Sequence, residues 1–201
     1  IGVLGTRYPG LEGQIALHLA GTPADFVGEA GLKSARWKGE TFPGLSAKFR
    51  LRGKAFSLNP LEVGVTPPLR LTGESAGAKL HFKASLKGQS LSELLRVAGS
   101  SNRDIQGRVS GPIEVGGTLS HPRVQFHGSL AELVYQGNPI GAARLEVQAD
   151  DKLSGALAFP QAVDAAAFGK TGGIRGLIKV AGATLSGTPS SPKIEPVLQI
   201  H

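Results

Sequence analysis

The sequence contains no cysteine and no methionine, and its aromatic residues are only one Trp, two Tyr and eight Phe. Without cysteine, disulfide bonds, iron–sulfur clusters, thiolate zinc sites and a thiol nucleophile are all excluded. So few aromatic rings argue against a ligand platform built by stacking. No apolar run approaches the ~18 residues of a membrane-spanning helix, and no signal peptide is visible. Because the chain also begins without methionine, at Ile1, we expect it to be a segment of a longer protein.

The residue patterns of common active sites are missing as well. No nucleophile elbow, Walker loop or dinucleotide-binding fingerprint appears in the required strand-then-helix context. Asp150 and Asp151 form a carboxylate pair, but they stand beside Lys152 in an expected turn, where water solvates them. The histidines lack the spacing of a metal site; they are His18, His81, His121, His127 and His201. We therefore predict a protein that is not an enzyme and needs no metal or cofactor.

Glycine is abundant, with 29 of 201 residues, about double the usual ~7%. Most glycines separate short segments in which apolar and polar residues alternate, as in 45–52 and 78–87. Alternation with period two is typical of a strand with one buried face and one wet face. The pattern predicts an all-β chain of about 16 strands, and with a single helix it excludes βαβ units.

The net charge of +7 is concentrated in one half of the chain. Residues 1–100 hold 13 Lys and Arg against 7 Asp and Glu, while residues 101–201 hold 9 against 8. Nucleic-acid binding would need exposed aromatic rings among these cations. Phe49 and Phe82 lie opposite in phase to the neighbouring cations, so we predict no nucleic-acid partner. We expect an outer face at Lys48, Arg50, Arg52, Lys79, Lys83 and Lys87. Solvation of this face is the favoured interpretation, and contact with anionic headgroups is the alternative.

One helix is predicted over residues 90–98. Ser90 and Glu93 have the spacing of a capping box, and leucines and an alanine recur on one side of the helix. Gly99 is a suitable end. The apolar stripe needs a partner, either the apolar face of the adjacent sheet or the mouth of a groove.

A turn motif occurs twice, at Gly117–Val124 and Gly187–Ile194. Gly, Thr, Ser, Pro, a basic residue and a β-branched residue recur in register, each displaced by 70 positions. The order is that of a strand end, a turn, a proline that cannot continue the ladder, and a new strand. We predict repeat units of about 105–175 and 176–201 within one segment covering 1–201.

These two blocks resemble the repeating signature of the AsmA-like superfamily, and in particular of its TamB-like translocation and assembly proteins. Residues 112–124 and 177–194 carry the strand, the Gly-Thr turn and the Ser-x-Pro-basic-aliphatic restart. Residues 130–137 resemble the strand that commonly follows, and the helix at 90–98 also resembles the family. The specific similarity covers about residues 88–201.

The resemblance implies a periplasmic β-structure in a parent protein anchored to the inner membrane of a double-membraned bacterium. Its strands would stack into an open, taco-like or solenoid-like groove lined with aliphatic side chains. The implied function is a hydrophobic conduit for phospholipid transfer between inner and outer membranes, which supports outer-membrane biogenesis. The implied partners are phospholipid acyl chains and an outer-membrane assembly protein. Membrane contact would come through parts of the parent, such as the anchor, that this segment lacks.

The alternating strands favour such a surface on physical grounds, because they offer one apolar side and too few rings to fill a closed interior. Sixteen strands stacked in one direction would span on the order of 75 Å at ~4.8 Å per strand. We predict that the groove wall consists of the inward apolar residues, namely Ile15, Leu17, Leu19, Phe49, Leu51, Val63, Val65, Leu69, Leu71, Leu80, Phe82, Leu86, Ile113, Val115, Leu145, Val147, Leu157, Phe159, Ile178 and Val180.

Two other hypotheses remain open at this stage. The same apolar residues would also form the core of a closed β-sandwich or solenoid, which would be a binding or adhesion module for carbohydrate or protein. A parallel β-helix enzyme acting on polysaccharide is the third hypothesis. It would need carboxylates clustered on one exposed strand face, and the sequence has no such cluster.

Overall fold

The computed structural model describes residues 11–37, 40–41, 43–97, 104–168, 178–188 and 191–200. These residues form strands, one short α-helix and one 3₁₀ turn, which confirms the all-β prediction. The elements in chain order are β1 Leu11–Thr22, β2 Asp25–Trp37, β3 Glu40–Thr41, β4 Leu45–Arg52, β5 Ala55–Val63, β6 Leu69–Ala76, β7 Lys79–Ser90, α1 Leu91–Val97, β8 Ile105–Gly117, β9 Pro122–Tyr135, β10 Asn138–Ala149, β11 Leu153–Asp164, the 3₁₀ turn Ala165–Phe168, β12 Ile178–Thr188 and β13 Ser191–Ile200.

All strands belong to one open antiparallel sheet. Twelve of them follow one another in space in the order of the chain, and β3 pairs only with β2. Twelve strands at ~4.8 Å extend on the order of 50 Å across the sheet. The prediction of an elongated open sheet with one short helix is thus confirmed.

The described residues form 13 strands, fewer than the 16 or so predicted, because long strands continue through glycines. β8 runs through Gly111 and β9 through Gly128. A Cβ at Gly111 would lie 2.4 Å from the carbonyl oxygen of His127 on the adjacent strand. Glycine is needed at this position because two backbones approach each other closely. The predicted strand boundary at Gly111 is therefore wrong.

The pairing register divides the sheet into two faces. Leu51 of β4 pairs with Phe56 of β5, and Ala84 of β7 pairs with Ile113 of β8, so apolar residues are matched from strand to strand. We call this side the apolar face. The opposite side, the polar face, carries the alternate residues, such as Lys48 paired with Glu29. Each strand contributes to both faces because successive side chains point to opposite sides.

The connections lie at the two ends of the strands, and each row of strand ends is here called an edge. The turn edge carries the short connections after β1, β4, β6, β8, β10 and β12. The opposite edge carries the connections after β5, β7, β9 and β11, which include α1 and the 3₁₀ turn. We call it the helix edge.

The described residues of the two predicted turn motifs share a glycine with positive φ and a hydrogen bond to the threonine hydroxyl. Gly117 and Gly187 have φ values of 81° and 101°. The Thr118 hydroxyl oxygen accepts the N–H of His121 at 3.1 Å, and the Thr188 oxygen accepts the N–H of Ser191 at 3.2 Å. These bonds satisfy a backbone donor at the tip of each turn.

A third turn of this kind joins β1 to β2. Gly21 has a φ of 128°, and the Thr22 hydroxyl oxygen accepts the N–H of Asp25 at 3.3 Å. It lies outside the predicted motif, and Phe26 stands where the other copies have proline. The Gly-Thr dipeptide at a strand end was the signal that could have identified it. All three turns lie at the turn edge.

Replacing Gly117 with alanine should destabilise the sheet more than the same change at Gly77. Both glycines have positive φ, 81° and 60°, which costs alanine about 1 kcal/mol. A Cβ at Gly117 would also lie 2.4 Å from the His121 carbonyl oxygen, whereas at Gly77 it would meet open space. We expect a loss of about 2–4 kcal/mol for Gly117→Ala and about 1 kcal/mol for Gly77→Ala, measured by urea unfolding. Equal losses would contradict the turn geometry described here.

Candidate functional site

The strands bring the predicted groove residues together on the apolar face, with one exception. Pairing links them across neighbouring strands: Phe82 with Val115, Leu145 with Leu157, and others in the same way. Those that share the face are Ile15, Leu17, Leu19, Phe49, Leu51, Val63, Leu69, Leu71, Leu80, Phe82, Leu86, Ile113, Val115, Leu145, Val147, Leu157, Phe159, Ile178 and Val180. Val65 lies outside the strands, in the connection between β5 and β6.

In the described residues, the buried hydrophobic cluster of the apolar face lies beneath the helix. Leu86, Val109, Leu130, Leu133 and Ala143 form the buried cluster, on strands β7 to β10. Leu91 and Leu94 of α1 pack against this cluster. The apolar stripe of the helix therefore packs on its own sheet, at the helix edge. The helix runs over Leu91–Val97, and the remaining predicted residue Ala98 and the predicted end at Gly99 lie outside the described residues.

Two polar side chains tie the β5–β6 connection to the helix region. The Glu93 carboxylate accepts the N–H of Thr66 at 2.9 Å. Gln89 is 1% exposed; its Nε2 donates to the Pro67 carbonyl oxygen at 3.2 Å, and its Oε1 accepts the N–H of Lys87. The connection is thereby held to β7 and to the first turn of α1.

The capping-box prediction holds in one half only. The Ser90 hydroxyl oxygen accepts the N–H of Glu93 at 3.4 Å, as an N-cap should. The Glu93 side chain reaches the Thr66 backbone of another connection, whereas the box requires it to return to Ser90. A local spacing rule could not reveal this partner, because Thr66 lies 27 residues away.

The prediction that three residues belong to the groove wall is corrected, because their side chains are buried. Val65 is 3% exposed, Leu86 is 6% exposed and Val180 is 8% exposed. A ligand lying on the apolar face cannot reach side chains that are covered to this extent. Leu86 belongs to the cluster beneath the helix, and Val65 belongs to the connection that Gln89 and Glu93 hold.

The 3₁₀ turn adds a second cover at the helix edge. Its Phe168 ring lies 6.2 Å from the ring centroid of Tyr135 and 6.1 Å from that of Phe159. These separations are typical of favourable aromatic pairs. Phe159, another predicted wall residue, therefore takes part in an aromatic cluster.

Other parts of the apolar face are exposed in the described residues, most of all on β1. Ile15, Leu17 and Leu19 on β1 are 50%, 55% and 57% exposed. Toward the turn edge, Leu51, Leu80 and Val115 are half-buried by their neighbours in the same sheet. Rings on β2, β4 and β5 form a row, with Phe49 at 6.4 Å from Phe26 and 6.0 Å from Phe56. Within the described residues, the candidate site is this uncovered part of the apolar face, which we call the open apolar surface.

The polar face carries ion pairs between residues of adjacent strands. The Arg50 guanidinium donates to both Asp25 carboxylate oxygens, at 2.8 and 2.7 Å. The Lys48 ammonium lies 3.1 Å from the Glu29 carboxylate. The other predicted outer cations on β4 and β7 also stand at alternate positions that face the polar side. The six cations expected on the outer face lie on this side. These pairs are exposed, so each stabilises the fold little.

The polar face also holds shallow depressions. One of these, of about 580 Å³, is lined on β1, β2, β4 and β5 mainly by polar-face residues including His18, Lys48 and Arg50. Among the described residues, no group of three or more His, Asp or Glu side chains is arranged to hold a metal ion. No helix in the described part of the chain has the length and apolarity needed to cross a membrane.

Replacing Gln89 with leucine should cost about 1–3 kcal/mol of unfolding free energy. The substitution removes the partners of the Lys87 N–H and the Pro67 carbonyl in a buried place. Gln106→Leu, at an exposed position of β8, is the matched control and should change stability by less than about 0.5 kcal/mol. Hydrogen exchange at the Thr66 amide should also accelerate in Gln89→Leu. Unchanged stability and exchange would show that Gln89 does not hold the connection.

Arg50→Gln should raise the pKa of Asp25. The hydrogen bonds from Arg50 hold that pKa below its ordinary value. A depressed pKa in the folded state adds stability above the ordinary carboxyl pKa, and this stability is lost as pH falls through the folded-state pKa. An NMR titration of the Asp25 carboxyl carbon measures the shift. Arg70→Gln, whose partner is Glu62, should leave the Asp25 titration unchanged, and an equal shift in both variants would contradict the pairing.

Comparison with protein-family models, curated proteins and solved structures gives no match to this chain.

Proposed function

We propose that this chain is a non-enzymatic hydrophobic conduit whose open apolar surface carries phospholipid acyl chains between membranes. The observation that carries the proposal is the single-layer sheet. Its apolar face runs across twelve strands, and in the described residues the helix covers only the part on β7 to β10. A soluble protein rarely leaves a large contiguous apolar surface without a partner.

Acyl chains suit this surface in size and chemistry. One lipid chain is about 15 Å long, half of a ~30 Å hydrocarbon core, and so covers about three strands at ~4.8 Å each. Burial of a methylene contributes about 0.8 kcal/mol. An acyl chain lying on the sheet buries only one of its sides. Its binding would therefore be moderate, and the lipid could dissociate without a chemical step. Such a surface would favour passage over tight retention.

The setting of this transfer rests on the resemblance to TamB-like proteins. We place the conduit in the periplasm, in a parent anchored to the inner membrane, with an outer-membrane assembly protein as its partner. Transfer between the inner and outer membranes would support outer-membrane biogenesis. The alternative of a closed binding or adhesion module has less support, because its core would need a second layer over the apolar face.

A photocrosslinking scan tests the proposal. Probes at Leu51, Leu80 and Val115 lie on the open apolar surface and should capture phospholipid. Probes at Arg50 and His127 lie on the polar face, and a probe at Leu86 lies beneath the helix. We expect the first group to exceed both control groups. Equal capture by all probes, or none by the first group, would remove the proposal.

A charged substitution gives an independent test. Leu80→Asp places a carboxylate on the open apolar surface and should lower the amount of phospholipid bound by the purified protein, because the charge must be desolvated. Ser154→Asp adds the same charge at an exposed polar-face position paired with Gln148 and should leave lipid binding unchanged. Circular dichroism checks that both variants keep their strands. Equal lipid binding by Leu80→Asp and the unmodified protein would contradict the proposal.

A further inference from the structure

A second depression on the polar face is strongly basic. It encloses about 460 Å³ and lies on β6 and β7 and the residues just before β6. Its lining combines three cations with two hydroxyl groups and contains no acidic residue; the lining residues are Pro68, Arg70, Thr72, Lys83, Ala84, Ser85 and Lys87.

The strand register brings the three cations together. Thr72 pairs with Lys83, and the ladder ends at Leu71 paired with Ala84. Because Thr72 is opposite Lys83, Arg70 is a diagonal neighbour of Lys83, and such neighbours have Cα atoms about 7–8 Å apart, within reach of long side chains. Arg70, Lys83 and Lys87 all line the depression. Three like charges in one depression repel one another, and a bound anion would relieve the repulsion.

The carboxylates nearest to these cations stand outside the depression. Arg70 binds Glu62 on β5 at 2.7 Å, and Lys83 lies 3.3 Å from Glu114 on β8. Both acids therefore flank the depression from the neighbouring strands. Among the described residues, the Lys87 ammonium has no carboxylate within 4.0 Å. The depression thus keeps at least one unneutralised cation.

From this arrangement we propose that the depression is a binding site for a phosphate group. Phosphate offers several acceptor oxygens to a guanidinium fork, two ammonium groups and the hydroxyls of Thr72 and Ser85. The site faces away from the apolar face, so a lipid whose acyl chains lie on that face does not occupy it. Inorganic phosphate and an anionic lipid headgroup present the same chemistry to these residues. The site goes beyond the proposed transfer of acyl chains.

Titration with inorganic phosphate at constant ionic strength tests this site. NMR shifts of the Thr72, Lys83 and Ser85 amides should saturate. Lys87→Gln should weaken binding about threefold, in line with the modest strength of charge pairs at exposed positions. Lys54→Gln removes the same charge from an exposed turn between β4 and β5 and should leave binding unchanged. Absence of saturable shifts, or equal weakening in both variants, would overturn the proposal.

Vesicle binding identifies the source of the phosphate. Vesicles of phosphatidylcholine with phosphatidylglycerol are compared with vesicles of phosphatidylcholine alone. If Lys87→Gln weakens binding to the anionic vesicles and Lys54→Gln does not, a headgroup is the ligand. If both variants bind vesicles as the unmodified protein does while phosphate titration still depends on Lys87, the ligand is a soluble phosphate compound. Crosslinking on the open apolar surface should be unaffected by Lys87→Gln, so the two proposals fail separately.

Discussion

The register of antiparallel pairing is the constraint on which this structure depends. Because side chains alternate with period two, a slip of one residue between neighbouring strands would exchange their faces. Pairs such as Leu51 with Phe56 and Phe82 with Val115 keep apolar residues on one side along the whole strand path. A β-bulge can preserve the separation of the two faces. In β12, Val180 and Ala183 lie on either side of a bulge, and both pair with apolar-face residues of β13. The result is a single sheet with two chemically different faces.

The helix edge gives this sheet its only extended cover among the described residues. Leu91 and Leu94 close over the buried cluster, and Phe168 adds an aromatic contact on the neighbouring strands. Gln89 and Glu93 fasten the connection that contains Val65. A buried amide whose polar atoms are both bonded specifies one arrangement of these elements, because an unpaired polar atom there would be costly. No described residue outside the sheet gives the turn edge a comparable cover, and the open apolar surface extends toward it.

Local alternation was enough to predict the all-β class, the residues that share a strand face and the side of the sheet that carries the cations, because these depend on neighbours two residues apart. The burial of individual side chains depended on contacts between residues far apart in the sequence. Leu86 and Val65 have the same local pattern as exposed wall residues, and only the folded chain places the helix and the Gln89 bonds above or beside them. Gly111 was misjudged for a similar reason, since the backbone that approaches it belongs to β9. The basic depression required the pairing of β6 with β7, which periodicity alone does not give.

The central claim is that the open apolar surface, and not the polar face, holds acyl chains. Intermolecular nuclear Overhauser effects between phospholipid acyl-chain protons and protein methyl groups measure this directly, because they require near contact. The account predicts such effects at Leu51, Leu80 and Val115 and none at Val27, which is 50% exposed on the polar face. Equal effects at Val27, or none at the three apolar-face residues, would contradict the account.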